Sequence, residues 1–228
     1  MNIKLTLPCS ILALLFIAVP LKTQAALFTI DNFTQNQSII SEGGVAETSA
    51  ALALTSGLPA GSTELNNAQR TLFSQSTGDL SQDQRVRVIA DKLQISNSPL
   101  SAGTAWVLWD NFDTVDFLSL GINAFLLDVL AIDLDVNLSL TVNGVSTSPL
   151  QNFAGAGQFF VDFNDFSNPG VFTAVESIRL DLNGPNGWDA EFKLFGAINP
   201  STVPEPSLFI LLSFALIAFG FVKNRAVF

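Results

Sequence analysis

The chain has 228 residues, no histidine, a single cysteine and a formal net charge of −10. These counts exclude every catalytic triad that uses histidine as base, any disulfide within the chain and the usual Cys–His zinc sites. Between Ala26 and Pro200, six basic side chains face nineteen acidic ones, a net of −13, so this stretch should repel nucleic-acid backbones and no nucleic-acid partner is expected.

Residues 1–25 read as a secretory signal peptide. Lys4 supplies the positive start, residues 11–19 (ILALLFIAV) form a short uncharged apolar run, and Pro20 ends it. Thr23-Gln24-Ala25 then offers small residues where a signal peptidase reads, so cleavage is expected after Ala25, leaving Ala26 as the new N-terminus. The competing reading is an uncleaved N-terminal anchor, for which the run is short. Cys9 precedes the apolar run, which argues against lipid attachment and leaves the mature chain without a thiol.

Residues 26–198 alternate short apolar stretches with turn residues. Strands are expected over residues 27–30, 71–74, 85–89, 105–109, 124–128, 137–142, 158–163, 177–182 and 191–195. Several alternate cleanly: Ile178, Leu180 and Leu182 share one face against Ser177, Arg179 and Asp181. Asn143-Gly144 closes one strand with the residue pair that a type I′ hairpin turn favours. Residues 46–54 fit either a strand or a short helix. Short strands at this spacing predict an all-β domain, a β-sandwich or jelly roll.

Residues 199–207 read as a linker, stiffened by Pro204 and Pro206, each of which fixes its own backbone and disfavours helix before it. Residues 208–222 (LFILLSFALIAFGFV) carry no charge and read as one C-terminal transmembrane helix. Fifteen residues make roughly 22 Å of helix, short of the roughly 30 Å hydrocarbon core, so local thinning or snorkelling by Lys223 is implied. Lys223 and Arg225, in the tail 223–228, place that end in the cytoplasm and the preceding domain outside it.

The order Pro204-Glu205-Pro206, apolar helix, basic end resembles the PEP-CTERM sorting signal. Relatives commonly end in several arginines, whereas Ala226-Val227-Phe228 follows two charges here. The resemblance implies processing by an exosortase near Pro204, Glu205 and Pro206, after a stay in the inner membrane, with the product at the cell surface or outside. It also implies a bacterium that makes exopolysaccharide. Residues 85–197 look like the jelly-roll, carbohydrate-binding-module-like domains found ahead of such tails. The matching residues are Val107-Leu-Trp-Asp110, Asn123-Ala-Phe-Leu-Leu-Asp128, Phe163-Asn-Asp-Phe166, Ile178-Arg-Leu-Asp-Leu182 and Trp188-Asp189.

Catalytic signals are sparse. No Gly-x-Ser-x-Gly elbow or phosphate-cradling glycine loop is present, and Asp189 and Glu191 share a strand face rather than span a cleft. The protein is therefore expected not to be an enzyme. Oxygen ligands are plentiful: Asp110, Asp113 and Asp116; Asp133, Asp135 and Asn137; Asp162, Asn164 and Asp165. These groups fit solvated faces and turns, or a structural Ca²⁺ site with Asp110 and Asp113 as first ligands. No cofactor beyond that cation is expected. Trp109 and Trp188 are the candidate glycan-binding residues, because sugars stack on flat aromatic faces; packing is the alternative for each. Trp106 and Trp109 have opposite strand parity, so simple alternation lets at most one face the core.

The expectation is an exported, non-enzymatic surface or matrix protein, and the resemblance implies that it either binds glycan, with exopolysaccharide as the candidate partner, or structures a biofilm. The alternatives are a carbohydrate-active enzyme and a single-pass membrane protein that is never processed.

Overall fold

The computed structural model describes residues 27–200. In chain order the strands are β1 (Phe28–Asp31), β2 (Gln37–Glu42), β3 (Ala46–Thr48), β4 (Leu52–Ala53), β5 (Gln69–Gln75), β6 (Asp83–Ile89), β7 (Lys92–Asn97) and β8 (Thr104–Asp110). There follow β9 (Ala124–Ile132), β10 (Val136–Val142), β11 (Ser146–Thr147), β12 (Gln151–Phe153), β13 (Gly157–Asp162), β14 (Ile178–Asn183) and β15 (Ala190–Ile198). Two short 3-10 turns, Phe163–Asp165 and Pro169–Thr173, lie between β13 and β14.

The strands build two antiparallel sheets. The first runs β13-β9-β15-β7-β6-β2, with β1 also paired to β15; the second runs β11-β10-β14-β8-β5-β3, with β12 on β10 and β4 on β5. One core cluster draws inward residues from both, such as Val86 and Val88 from the first and Leu138 and Leu140 from the second. The fold is therefore an all-β sandwich, as the alternation predicts. Among the described residues no helix is long and apolar enough to cross a membrane. The expected signal peptide and the helix at 208–222 lie outside the described residues.

Alternation sets the two faces of each strand. In β10, Val136, Leu138, Leu140 and Val142 are buried while Asn137, Ser139 and Thr141 are half-buried on the other side. Asn143 and Gly144 both take positive φ, 52° and 66°, and Val145 N–H donates to the Val142 carbonyl, the turn expected from sequence. The open stretch at 46–54 is extended, as β3 and β4 on β5. The strand expected at 158–163 stops at Asp162, whose carboxylate accepts from Asn164 N–H and turns the chain into the first 3-10 turn.

Aromatic packing fills one end of the sandwich. Phe163 and Phe172, one from each 3-10 turn, stack at 3.6 Å. Phe125 meets Phe163, Phe166, Phe172 and Phe195, and Phe195 lies 4.8 Å from Trp109.

A buried polar network pins β1 to the second sheet. Arg70 of β5 and Asp31 of β1 are both fully buried and paired at 2.7 Å. The same Asp31 oxygen accepts from Trp109 Nε1 at 2.8 Å, and its other oxygen accepts from Phe33 N–H. Arg70 Nε donates to Gln37 Oε1 at 2.9 Å, and a terminal nitrogen donates to the Gln35 carbonyl. Such a pair is tolerated only when its remaining donors and acceptors are met, as they are here.

The first and last described strands lie side by side, with Phe28 opposite Ala197. Strand β15 is interior to its sheet, with β9 along one edge and β7 then β1 along the other.

Candidate functional site

The tryptophans sort differently from expectation. Trp109 points inward from β8, is fully buried, and spends its N–H on Asp31. Trp188 is also fully buried, with Nε1 donating to the Gly103 carbonyl at 2.9 Å. Its indole packs on Gly184, where an added Cβ would stand 2.6 Å from the ring, so the glycines of this loop make room for the ring to turn inward. Neither ring presents a face to solvent, and the expectation that Trp109 and Trp188 bind glycan is corrected.

Trp106 is the tryptophan on the outer face. It alternates with buried Ala105 and Val107 and is half-buried. Its ring is parallel to that of Phe73 on β5, with centroids 5.0 Å apart and planes within 2°. From the opposite neighbour, β14, the Arg179 guanidinium carbon lies 5.5 Å from the indole centroid. Arg179 is held by Asp181, with Nε 2.9 Å from one carboxylate oxygen and a terminal nitrogen 2.5 Å from it. Asp181 is also the direct cross-strand partner of Trp106. Three planar groups on three adjacent strands thus turn their rims outward.

The register extends this patch. One cross-strand row reads Asn152, Asn137, Asn183, Thr104 and Gln75, all polar and uncharged. Asn152 donates to Asn137 at 3.2 Å, and Asn137 donates to Asn183 at 3.3 Å. The adjoining row reads Ser139, Asp181, Trp106, Phe73 and Thr48. Amides, hydroxyls, one internally neutralised ion pair and aromatic rims make a surface that can pair with hydroxyls while offering apolar contact.

The acidic groups do not converge. Among the described residues no three Asp, Glu, His or Cys side chains are placed to hold a metal. Asp110 ends β8 on the outer face, and burial raises its carboxyl above the usual carboxylate range. Asp113 accepts from Asn67 Nδ2 at 3.0 Å. Asp116 accepts from the Ser119 hydroxyl and amide, which hold it below the usual range. Asp133 accepts from Asp189 N–H, and Asp162 from Asn164. Asp113, Asp116, Asp133 and Asp162 serve nearby backbone and side-chain donors, and among the described residues no third Asp, Glu, His or Cys joins Asp110 and Asp113. Ala25, Ala26, Pro204, Glu205, Pro206, Lys223 and Arg225 lie outside the described residues.

No family model and no curated protein matches the chain. Among solved structures it is similar to CtCBM11 in solution, at 13% identity and a TM-score of 0.41, covering 78% of this chain and 97% of that chain. It is similar to the family 11 carbohydrate-binding module of the cellulosomal cellulase Lic26A-Cel5E of Clostridium thermocellum, at 12% identity and a TM-score of 0.35, covering 76% and 95%. A family 11 module from Clostridium thermocellum in complex with a beta-1,3-1,4-mixed-linked tetrasaccharide gives 12% identity and a TM-score of 0.31, covering 76% and 96%. Likeness of this degree carries no site residue from those modules to this chain.

Proposed function

We propose that this chain is an exported, non-enzymatic bacterial surface protein whose sandwich binds a neutral glycan on the outer face of the second sheet. The observation that carries the reading is the stack of Phe73, Trp106 and Arg179 beside Asp181 and the asparagine row. Phe73 and Arg179 flank the indole on either side, so a ligand meets the rims: the indole edge, the guanidinium donors and the carboxylate acceptor. Planar donors and acceptors in fixed orientation discriminate hydroxyl patterns, and the apolar rims favour the C–H side of a sugar ring. The address comes from the sequence: a signal peptide cut by signal peptidase after Ala25, then a tail held in the inner membrane through residues 208–222 and processed by an exosortase at Pro204-Glu205-Pro206.

Two measurements test this. Full-length protein run through gels containing neutral exopolysaccharide should be retarded, and Trp106→Ala should abolish the retardation while lowering the melting temperature by only about 2–4 °C. Equal retardation of wild type and variant would remove the site, and released oligosaccharides would make the protein a carbohydrate-active enzyme instead. Intact mass from the native host should give a chain beginning at Ala26 and ending near residues 203–207, outside the inner membrane. A chain ending at Phe228 in the inner membrane would defeat the sorting half of the reading.

A further inference from the structure

The outer face of the first sheet has a different chemistry. Of the six basic residues between Ala26 and Pro200, four lie there: Arg85, Arg87, Lys92 and Lys193. Arg70 is buried and Arg179 is on the other sheet. The same face carries Glu42, Asp83, Asp128 and Glu191; Arg85 is paired with Asp83 and Lys92 with Glu191, which leaves Arg87 and Lys193 as its cations without a carboxylate partner among the described residues.

The register centres that face on Arg87. A single cross-strand row runs Ser38, Arg87, Gln94, Glu191 and Ala131, from β2 to β9. Arg87 Nε donates to Gln94 Oε1 at 2.9 Å, Gln94 donates to Glu191 at 2.7 Å, and Lys92 pairs with the other Glu191 oxygen at 3.1 Å. This chain orients the guanidinium through its Nε and satisfies both Glu191 oxygens, one by the Gln94 amide and one by the Lys92 ammonium. The two terminal nitrogens of Arg87 hold no hydrogen bond or ion pair among the described residues. They form a fork of the shape that matches a carboxylate bidentately.

Arg87 walls a depression of about 330 Å³, with Asn36, Gln37, Ser38, Val88 and Ile89 as the other lining residues. No carboxylate lines it. Asn36 and Ser38 are exposed, and their side chains make no hydrogen bond among the described residues. Ile89 is 42% exposed and supplies an apolar wall. Guanidinium, amide, hydroxyl and aliphatic wall together fit a ring that carries hydroxyls and one carboxylate.

We propose that the depression formed by Asn36, Ser38, Arg87 and Ile89 is a binding site for a carboxylate-bearing sugar unit of an acidic polysaccharide. The carboxylate takes the Arg87 fork, the hydroxyls take Asn36 and Ser38, and the ring lies against Ile89. This site is separate from the Trp106 face and uses none of its residues.

The test is calorimetric titration of the full chain in detergent with tetragalacturonate and with its methyl ester. In the Trp106→Ala variant, which lacks the neutral-glycan face, tetragalacturonate should bind, the ester at least tenfold more weakly, and raised salt should weaken the first far more than the second. Arg87→Gln should lose at least tenfold in affinity with an unchanged melting temperature, and Ser38→Phe, which fills the depression while keeping the charge, should lose as much. Trp106→Ala should bind as wild type, so failure at one face is distinguishable from failure at the other. Equal binding of acid and ester by Trp106→Ala, wild-type affinity in Arg87→Gln, or no binding of tetragalacturonate by folded wild type would each overturn the proposal.

Discussion

The two outer faces of the sandwich share one architecture and differ in chemistry. Each presents a polar cross-strand row over five strands, one through Trp106 and Asp181, the other through Arg87 and Gln94. On the second sheet the charges cancel locally and aromatic rims remain. On the first sheet Arg85 and Lys92 are matched by Asp83 and Glu191, no aromatic joins the row, and the terminal nitrogens of Arg87 have no partner among the described residues. A sandwich fixes where side chains stand, while outward residues remain free to set what each face can bind. An acidic chain can therefore leave a single guanidinium such as that of Arg87 without a carboxylate partner on a face whose other charges are largely matched.

The comparison breaks first at the network that ties the sheets together. Asp31→Ala would strand Arg70 in the core and remove the acceptor of Trp109, and should cost about 3–5 kcal/mol, measured by urea unfolding. The double variant Asp31→Leu with Arg70→Met should lose less than the single one, because no buried charge is left unpaired. A double variant as damaged as the single would mean that the network sets the sheet packing itself.

Trp106→Ala should sharpen the contrast between a functional face and a structural core. It removes a half-buried stack and should cost about 1 kcal/mol, whereas Trp109→Ala should cost about 3–5 kcal/mol through the cavity it opens. Similar losses at both positions would make Trp106 a packing residue.

The smallest effects concern pH. Asp83 is held below the usual carboxylate range chiefly by the Ser98 hydroxyl, and Asp79 and Asp116 by Ser81 and Ser119. A lowered folded-state value stabilises above the unfolded value, and that contribution is lost as pH falls through the folded one. Stability should therefore decline below roughly pH 4. Asp110 runs the other way, because burial raises it. Asp110→Asn should raise the melting temperature slightly at pH 7 and leave it unchanged at pH 3, where both side chains are neutral. An equal shift at both pH values would mean the gain is not electrostatic.

Much of the sandwich was legible where strand periodicity ran uninterrupted. The alternation of β10 and β14 and the Asn143-Gly144 turn needed no tertiary information. Strand β7 was hidden because its hairpin turns on Ala90 and Asp91, both at positive φ, and alanine gives no turn signal. Strand β2 was hidden because its stretch, QSIISE, places Ile39 and Ile40 together, which obscures any alternation. The site was half legible. Parity separates Trp106 from Trp109, and Asp110 and Thr104 share parity with Trp106, which marks that face as the wet one. Trp188 carried no such marker, since nothing local says that Gly184 opens a slot for its ring. The stack itself was invisible, because Phe73 lies thirty-three residues before Trp106 and only the β5–β8 register brings them together.

The placement of β15 has a mechanical consequence. Under the proposed function, load between a bound polymer and a tether beyond Pro200 would enter the fold through Ile198. That strand is bonded to β9 along eight registered pairs on one edge, and to β1 and β7 on the other. A pull along its axis is therefore shared by many hydrogen bonds in shear, rather than peeling them open one at a time from an exposed edge. Any traction applied at Pro200 would be met by an interior strand of the first sheet.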